Sequence, residues 1–258
     1  MSAPMPPTSS ETAPQRVLIW DLPIRIFHWL LAGAFLLAWV LAVTSDDESR
    51  AFSVHGLLGL FIAALVAFRL VWGLIGTRHA RFEAFATRPA ALAAYLKSVL
   101  GGPGREYVGH NPASSYVTWA MLILLVGLVW TGILLGRGNE SVEDLHEILA
   151  HSMLALVGIH VLGVILHTVR HRDPIALGMI DGRKRGPSSA EIRSARPVSA
   201  LLLGVLLASW AAGLWRGYEP AKGRVTLPVL GTSVSLGESE EGEHGRGDNG
   251  RGHEEEDD

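Results

Sequence analysis

Five long apolar runs dictate the solvent this chain can fold in. They cover residues 26–43, 54–75, 117–135, 148–169 and 198–215. Each is about as long as the ~17–25 residues a helix needs to cross a ~30 Å hydrocarbon core. A soluble helix of that length carries a polar stripe, and these runs show almost none. Lipid cannot bond to backbone polar groups, so each run must satisfy its own, which only a helix does. A mean hydropathy of +0.28 and a charged content of only 18% agree. The chain has no cysteine, which excludes a disulfide scaffold, a thiolate metal site and an iron–sulfur cluster on its own ligands.

Start signals bound the runs. Asp21 with Pro23 opens the first, Asn111 with Pro112 the third, and Arg196 with Pro197 precedes the fifth. Ser141 with Asp144 reads as a loose capping box before the fourth. Between the second and third runs, residues 82–100 read as a moderately amphipathic segment lying on the membrane surface. It ends at the Gly101, Gly102, Pro103, Gly104 breaker.

The distribution of cations sets an expected orientation. Three loops on one side hold fourteen Lys and Arg, including Arg16, Arg25, Arg78, Arg88, Arg183 and Arg193; the two opposite loops hold Arg50 and Arg137 alone. By the positive-inside rule the N-terminus is cytoplasmic, and five crossings put the C-terminus outside. The basic loops are thereby explained without nucleic acid. Residues 1–15 are rich in Pro, Ser and Thr and read as disordered, with no secretory signal pattern, so the first helix serves as an uncleaved insertion signal. Residues 222–236 alternate weakly and suggest a small hairpin or a strand that pairs with a partner's sheet edge. Residues 237–258 hold ten Asp and Glu against two Arg and read as a solvated acidic tail able to dock a basic partner.

Histidines in the apolar runs carry the functional signal, because ionisable groups in lipid are costly. His28 lies in the first segment and His55 in the second; His146, His151, His160 and His167 lie along the fourth. His146 and His160 are fourteen residues apart, about 21 Å along a helix and within about 40° of one face. His55 stands at the level of His146, and His28 at the level of His160. Two opposed imidazole pairs at two depths suit planar tetrapyrrole iron, as in haem-binding helix bundles. His167 shares the face of His160 and could ligate in its place. His151 lies about 140° round from His146 and reads as a packing or quinone-side residue. His79, His110 and His171 fall in loops and read as solvated. Arg69, fourteen residues after His55, is placed to meet a haem propionate.

Several strings resemble the bacterial cytochrome b561 and Ni-Fe-hydrogenase b-type cytochrome family: RIFHW around His28, VHGLLGL and RLVWG on the second segment, GHNP before the third, the Thr131–Gly132 pair, and LHEILAHSMLALVGIHVLGVILH on the fourth. The resemblance implies an all-α membrane protein, with a four-helix transmembrane di-haem bundle over residues 16–182. It implies that His28 and His160 ligate a cytoplasmic-side haem b, and His55 and His146 a periplasmic-side haem b. It further implies residence in the bacterial inner membrane and exchange of electrons between the quinone pool and a hydrogenase, periplasmic oxidoreductase or c-type cytochrome. The fifth helix with its linker, 183–217, and the extension 218–258 depart from the family core. Three other readings remain open: a quinone-linked oxidoreductase acting alone, a metal-ion transporter, and a structural anchor for a periplasmic enzyme with its histidines merely packed.

Overall fold

The computed structural model describes residues 15–46, 49–99, 101–102, 107–172 and 174–237. The regions expected to be disordered, 1–15 and the acidic tail, lie almost wholly outside the described residues. In chain order the helices are α1 (Leu22–Thr44), α2 (Arg50–Ile75), α3 (Pro89–Val99), α4 (Pro112–Leu135), α5 (Glu143–His171), α6 (Gly178–Asp181) and α7 (Pro197–Gly217). Among the described residues, five helices are long and apolar enough to span a membrane: α1, α2, α4, α5 with its preceding turn, and α7. The protein is an all-α, multi-pass membrane protein. Its exposed surface is strongly apolar along these helices, with Leu74, Ile123, Val169 and Leu206 all outward, which only a lipid surround makes favourable.

The start signals act as expected in two places. Asp21 Oδ1 accepts from Ile24 N at 2.9 Å, and Asn111 Oδ1 accepts from Ser114 N at 2.8 Å, each satisfying an orphan donor of a helix N-terminus. The signal before the fourth run is corrected. Asn139, not Ser141, caps this turn, accepting from the backbone and hydroxyl of Ser141; a single 3-10 turn, Glu140–Val142, then leads into α5. The surface segment expected over 82–100 is shorter. Phe82–Ala84 forms a 3-10 turn and the helix begins only at Pro89, because a proline fits the first turn of a helix but not its interior.

Two compact units divide the described chain. The first takes residues up to Trp29 with 67–123 and 153–203. In it, β1 (Gln15–Leu18) pairs antiparallel with β2 (Arg183–Gly186), Gln15 opposite Gly186. The ribbon lies partly in what reads from sequence as a linker, and is locked by Ile19 N and Trp20 N, both donating to Gly182 O. Gly182 holds φ +79°, and a Cβ there would lie 2.7 Å from Trp20 O. The second unit takes residues 30–66, 124–152 and 204 onward. Its sheet runs β3 (Tyr218–Glu219), β4 (Arg224–Thr226), β5 (Ser233–Ser235), antiparallel throughout, which is the expected hairpin with one short strand added. Val225, Val234 and Leu236 pack with Leu57, Leu60 and Leu214, and Trp210 donates to Leu60 O at 3.1 Å.

Candidate functional site

In the second unit, α2 and α5 bring His55 and His146 together, ring centroids 6.3 Å apart and planes at 79°. Each ring is oriented through Nδ1. His55 Nδ1 bonds Ala38 O at 2.8 Å, so the nitrogen must donate, since a carbonyl can only accept. His146 Nδ1 bonds Thr131 Oγ1 at 2.7 Å, and that hydroxyl itself donates to Gly127 O at 2.9 Å. The hydroxyl proton being used, His146 Nδ1 donates as well. Both imidazoles therefore present a bare Nε2, the tautomer a metal-ligating histidine needs. Two imidazole–metal bonds of about 2 Å plus the radius of each ring span about 6 Å, close to the observed separation. Phe52 stacks on His55 at 5.4 Å. Gly132 approaches His146, where a Cβ would lie 3.4 Å from Cε1, while a Cβ at Gly59, one turn beyond His55, would meet nothing within 4 Å.

In the first unit, His28 and His160 are close enough to interact electrostatically. His28 Nδ1 is sealed from solvent and has no hydrogen-bond partner, so it lacks the oxygen acceptor that orients the rings of His55 and His146. The His55–His146 pair thus has the ring separation and the Nδ1 partners that fit a bis-imidazole haem. His167 turns Nδ1 to Tyr95 OH at 3.4 Å, and that hydroxyl accepts from Asn111 Nδ2 at 3.0 Å, so GHNP ties α3 to α4. His151 is exposed and contacts Glu147 of its own helix.

Arg69 is buried, not directed toward the surface. It donates to Ala80 O at 3.1 Å, with its guanidinium 4.7 Å from the ring centre of Phe82 and 5.7 Å from that of Phe85. Neither His79 nor His110 is solvated as their loop positions suggest. His79 is buried, with Nε2 donating to Ala190 O at 2.8 Å. His110 packs on Phe85 at 4.4 Å and edge-on to Trp20 at 4.8 Å. Burial, then the nearby positive charges of Arg69 and Lys184, push the His110 pKa down to about 3. Burial also lowers that of His79. Asp21 is fully buried, with Oδ2 accepting from Thr77 Oγ1 at 2.6 Å and from Trp72 Nε1 at 3.1 Å. No spacing pattern marks the burial of these three, because Trp72, Thr77, Ala190 and the other groups packed on them are far away in sequence. Among the described residues, no three His, Asp or Glu side chains are grouped to hold a bare metal ion.

Residues 19–182 match the family described as prokaryotic cytochrome b561. The chain is 22% identical to a probable Ni/Fe-hydrogenase B-type cytochrome subunit of Rhizobium leguminosarum bv. viciae over 215 residues, covering 66% of this chain and 89% of that protein. A protein of the same description from Bradyrhizobium diazoefficiens is also 22% identical, covering 66% of this chain and 86% of its own length. No solved structure matches the chain. With five membrane-length helices and histidines paired across them, the chain belongs to the prokaryotic cytochrome b561 family and is a membrane b-type cytochrome of electron transfer.

Proposed function

We propose that the chain is a di-haem cytochrome of the bacterial inner membrane that carries electrons between the quinone pool and a redox partner outside it, of the hydrogenase type or a c-type cytochrome. The His55–His146 pair carries this reading, with its 6.3 Å ring separation and both Nδ1 protons committed to oxygen acceptors. Its second half assigns His28 and His160 to a second haem, fourteen residues further along α5. His160 is preferred to His167 because His28 interacts electrostatically with His160, while His167 faces Tyr95. The hydrogenase-type partner follows the printed names of the two relatives. The N-terminus is assigned to the cytoplasm and the tail to the periplasm, by the cation bias of the loops.

Haem iron, when bound, supplies a one-electron couple whose potential the protein tunes by axial ligation, hydrogen bonding and burial. The chain's own residues do the tuning. Ala38 O and the Thr131 hydroxyl hold the two Nδ1–H groups and so raise the basicity of Nε2. Leu57, Leu60 and the sheet residues packed on them exclude water near His55. Arg69, backed by Phe82 and Phe85, supplies a fixed positive charge for a propionate in a setting of weak screening.

A reduced-minus-oxidised spectrum with haem stoichiometry on the purified protein tests this. Two b haems per chain are expected, falling to one in His146→Ala and one in His160→Ala. Full haem content in both variants sinks the assignment. Loss of one haem in His167→Ala, with His160→Ala unaffected, would move the inner ligand.

A further inference from the structure

We propose that the first unit carries a binding site for the phosphate headgroup of an anionic membrane phospholipid, built between the β1–β2 ribbon and the turn that follows α5. A cavity of about 100 Å³ is lined there by Arg16, Ile175, Leu177, Arg183, Lys184 and Arg185. Four cations in a pocket a few water volumes in size ask for a compact, multiply charged anion.

The cations are held in place rather than free to wander. Arg16 donates to Arg183 O at 3.1 Å and pairs with Asp181 at 2.8 Å. Arg183 returns a 3.3 Å bond to Arg16 O, and Lys184 donates to Tyr107 O at 2.8 Å. Among the described residues, two acids stand nearby and are already engaged: Asp181 with Arg16 and with Arg183 N, and Glu191 with Leu18 N. Positive charge therefore dominates the pocket.

Position argues for a lipid over a soluble anion. β1 ends four residues before α1 begins, and the 3-10 turn Ile175–Leu177 follows α5 after a gap of three. The turn and α6 are strapped onto the first two turns of a membrane helix: Trp29 Nε1 donates to Met179 O at 2.9 Å and Arg25 donates to Ile180 O. Leu177 and Ile180 remain 42% and 58% exposed. An apolar strip at the membrane boundary beside a cationic pocket offers acyl chain and headgroup their separate environments, as basic pockets at the membrane surface do for acidic lipids.

The test is native mass spectrometry of the full chain extracted in mild detergent and titrated with phosphatidylglycerol, cardiolipin or phosphatidylcholine. One tightly retained anionic lipid is expected. Arg183→Gln with Arg185→Gln should weaken its retention about ten-fold or more, leaving phosphatidylcholine unchanged. Leu177→Ser, which spares the cations, should weaken it too, and Arg88→Gln, a cation elsewhere, should not. Equal retention in the Arg183/Arg185 and Arg88 variants would overturn the site. So would inorganic phosphate displacing the lipid at equal concentration, which would make the pocket a free-phosphate site. Haem content serves as the folding control, so failure here leaves the cytochrome assignment standing.

Discussion

Leu236 rests directly on Gly56: a Cβ at residue 56 would lie 2.8 Å from Leu236 Cδ2 and 3.4 Å from its backbone. The residue that follows β5 thus packs against the residue next to His55. At α4, Ser235 N bonds Gly136 O at 2.9 Å, one turn beyond the glycine that faces His146. The segment outside the family match is folded onto the helices that carry and back His55 and His146. Gly56→Ala should therefore push β5 away and cost about 1–3 kcal/mol by overpacking. Faster proteolysis around Lys222 and Arg224, with outer-haem loss, is the expected readout; an unchanged cleavage rate would show that the sheet does not depend on this contact.

Thr131 should behave as an orienting residue. Thr131→Val keeps the shape but removes the acceptor of His146 Nδ1–H. Loss of such a partner lowers metal affinity about 10–100-fold. Lower haem retention through gel filtration and a raised midpoint potential would register it, because a less basic imidazole stabilises ferric iron less, and His151→Ala is the matched control with no effect.

Asp21 holds three donors from the chain: Ile24 N, Trp72 Nε1 and the Thr77 hydroxyl. In Asp21→Asn the amide replaces one acceptor with a donor, so a buried partner is stranded. A loss of about 1–3 kcal/mol is expected, seen as a lower midpoint of thermal unfolding in detergent, with both haems still bound before unfolding.

Acid should destabilise the first unit through the half-buried His110 and the buried His79. The folded His110 pKa of about 3 lies below the ordinary 6.5, so the unfolded chain takes up a proton over that interval while the folded chain does not. Stability contributed above pH 6.5 is lost progressively as pH falls toward 3. His79, also lowered by burial, adds in the same direction. His110→Phe should flatten unfolding free energy against pH over this window; an unaltered slope would contradict the burial.

Much of the architecture was legible before any coordinates. A span is a local property, written in about twenty consecutive apolar residues, and all five appear where the runs lie. The caps at Asp21 and Asn111 were equally readable, since acceptor and donor are three residues apart. The spacing of His146 and His160 lies within one helix and needs only its pitch.

What tertiary structure decided is whatever depends on partners remote in sequence. That His55 meets His146, with Ala38 and Thr131 choosing the tautomer of each, follows from helix packing, which spacing alone cannot orient. The histidines at 79 and 110 read as loop residues because their burial comes from Trp20, Phe85 and Ala190. The β1–β2 ribbon joins residues 15 and 186, and no local signal announces a pairing across so long a stretch of chain. Membrane insertion depends on transfer of each segment into lipid and is summed residue by residue. The sites depend on which faces of those segments touch, and only the folded packing sets that.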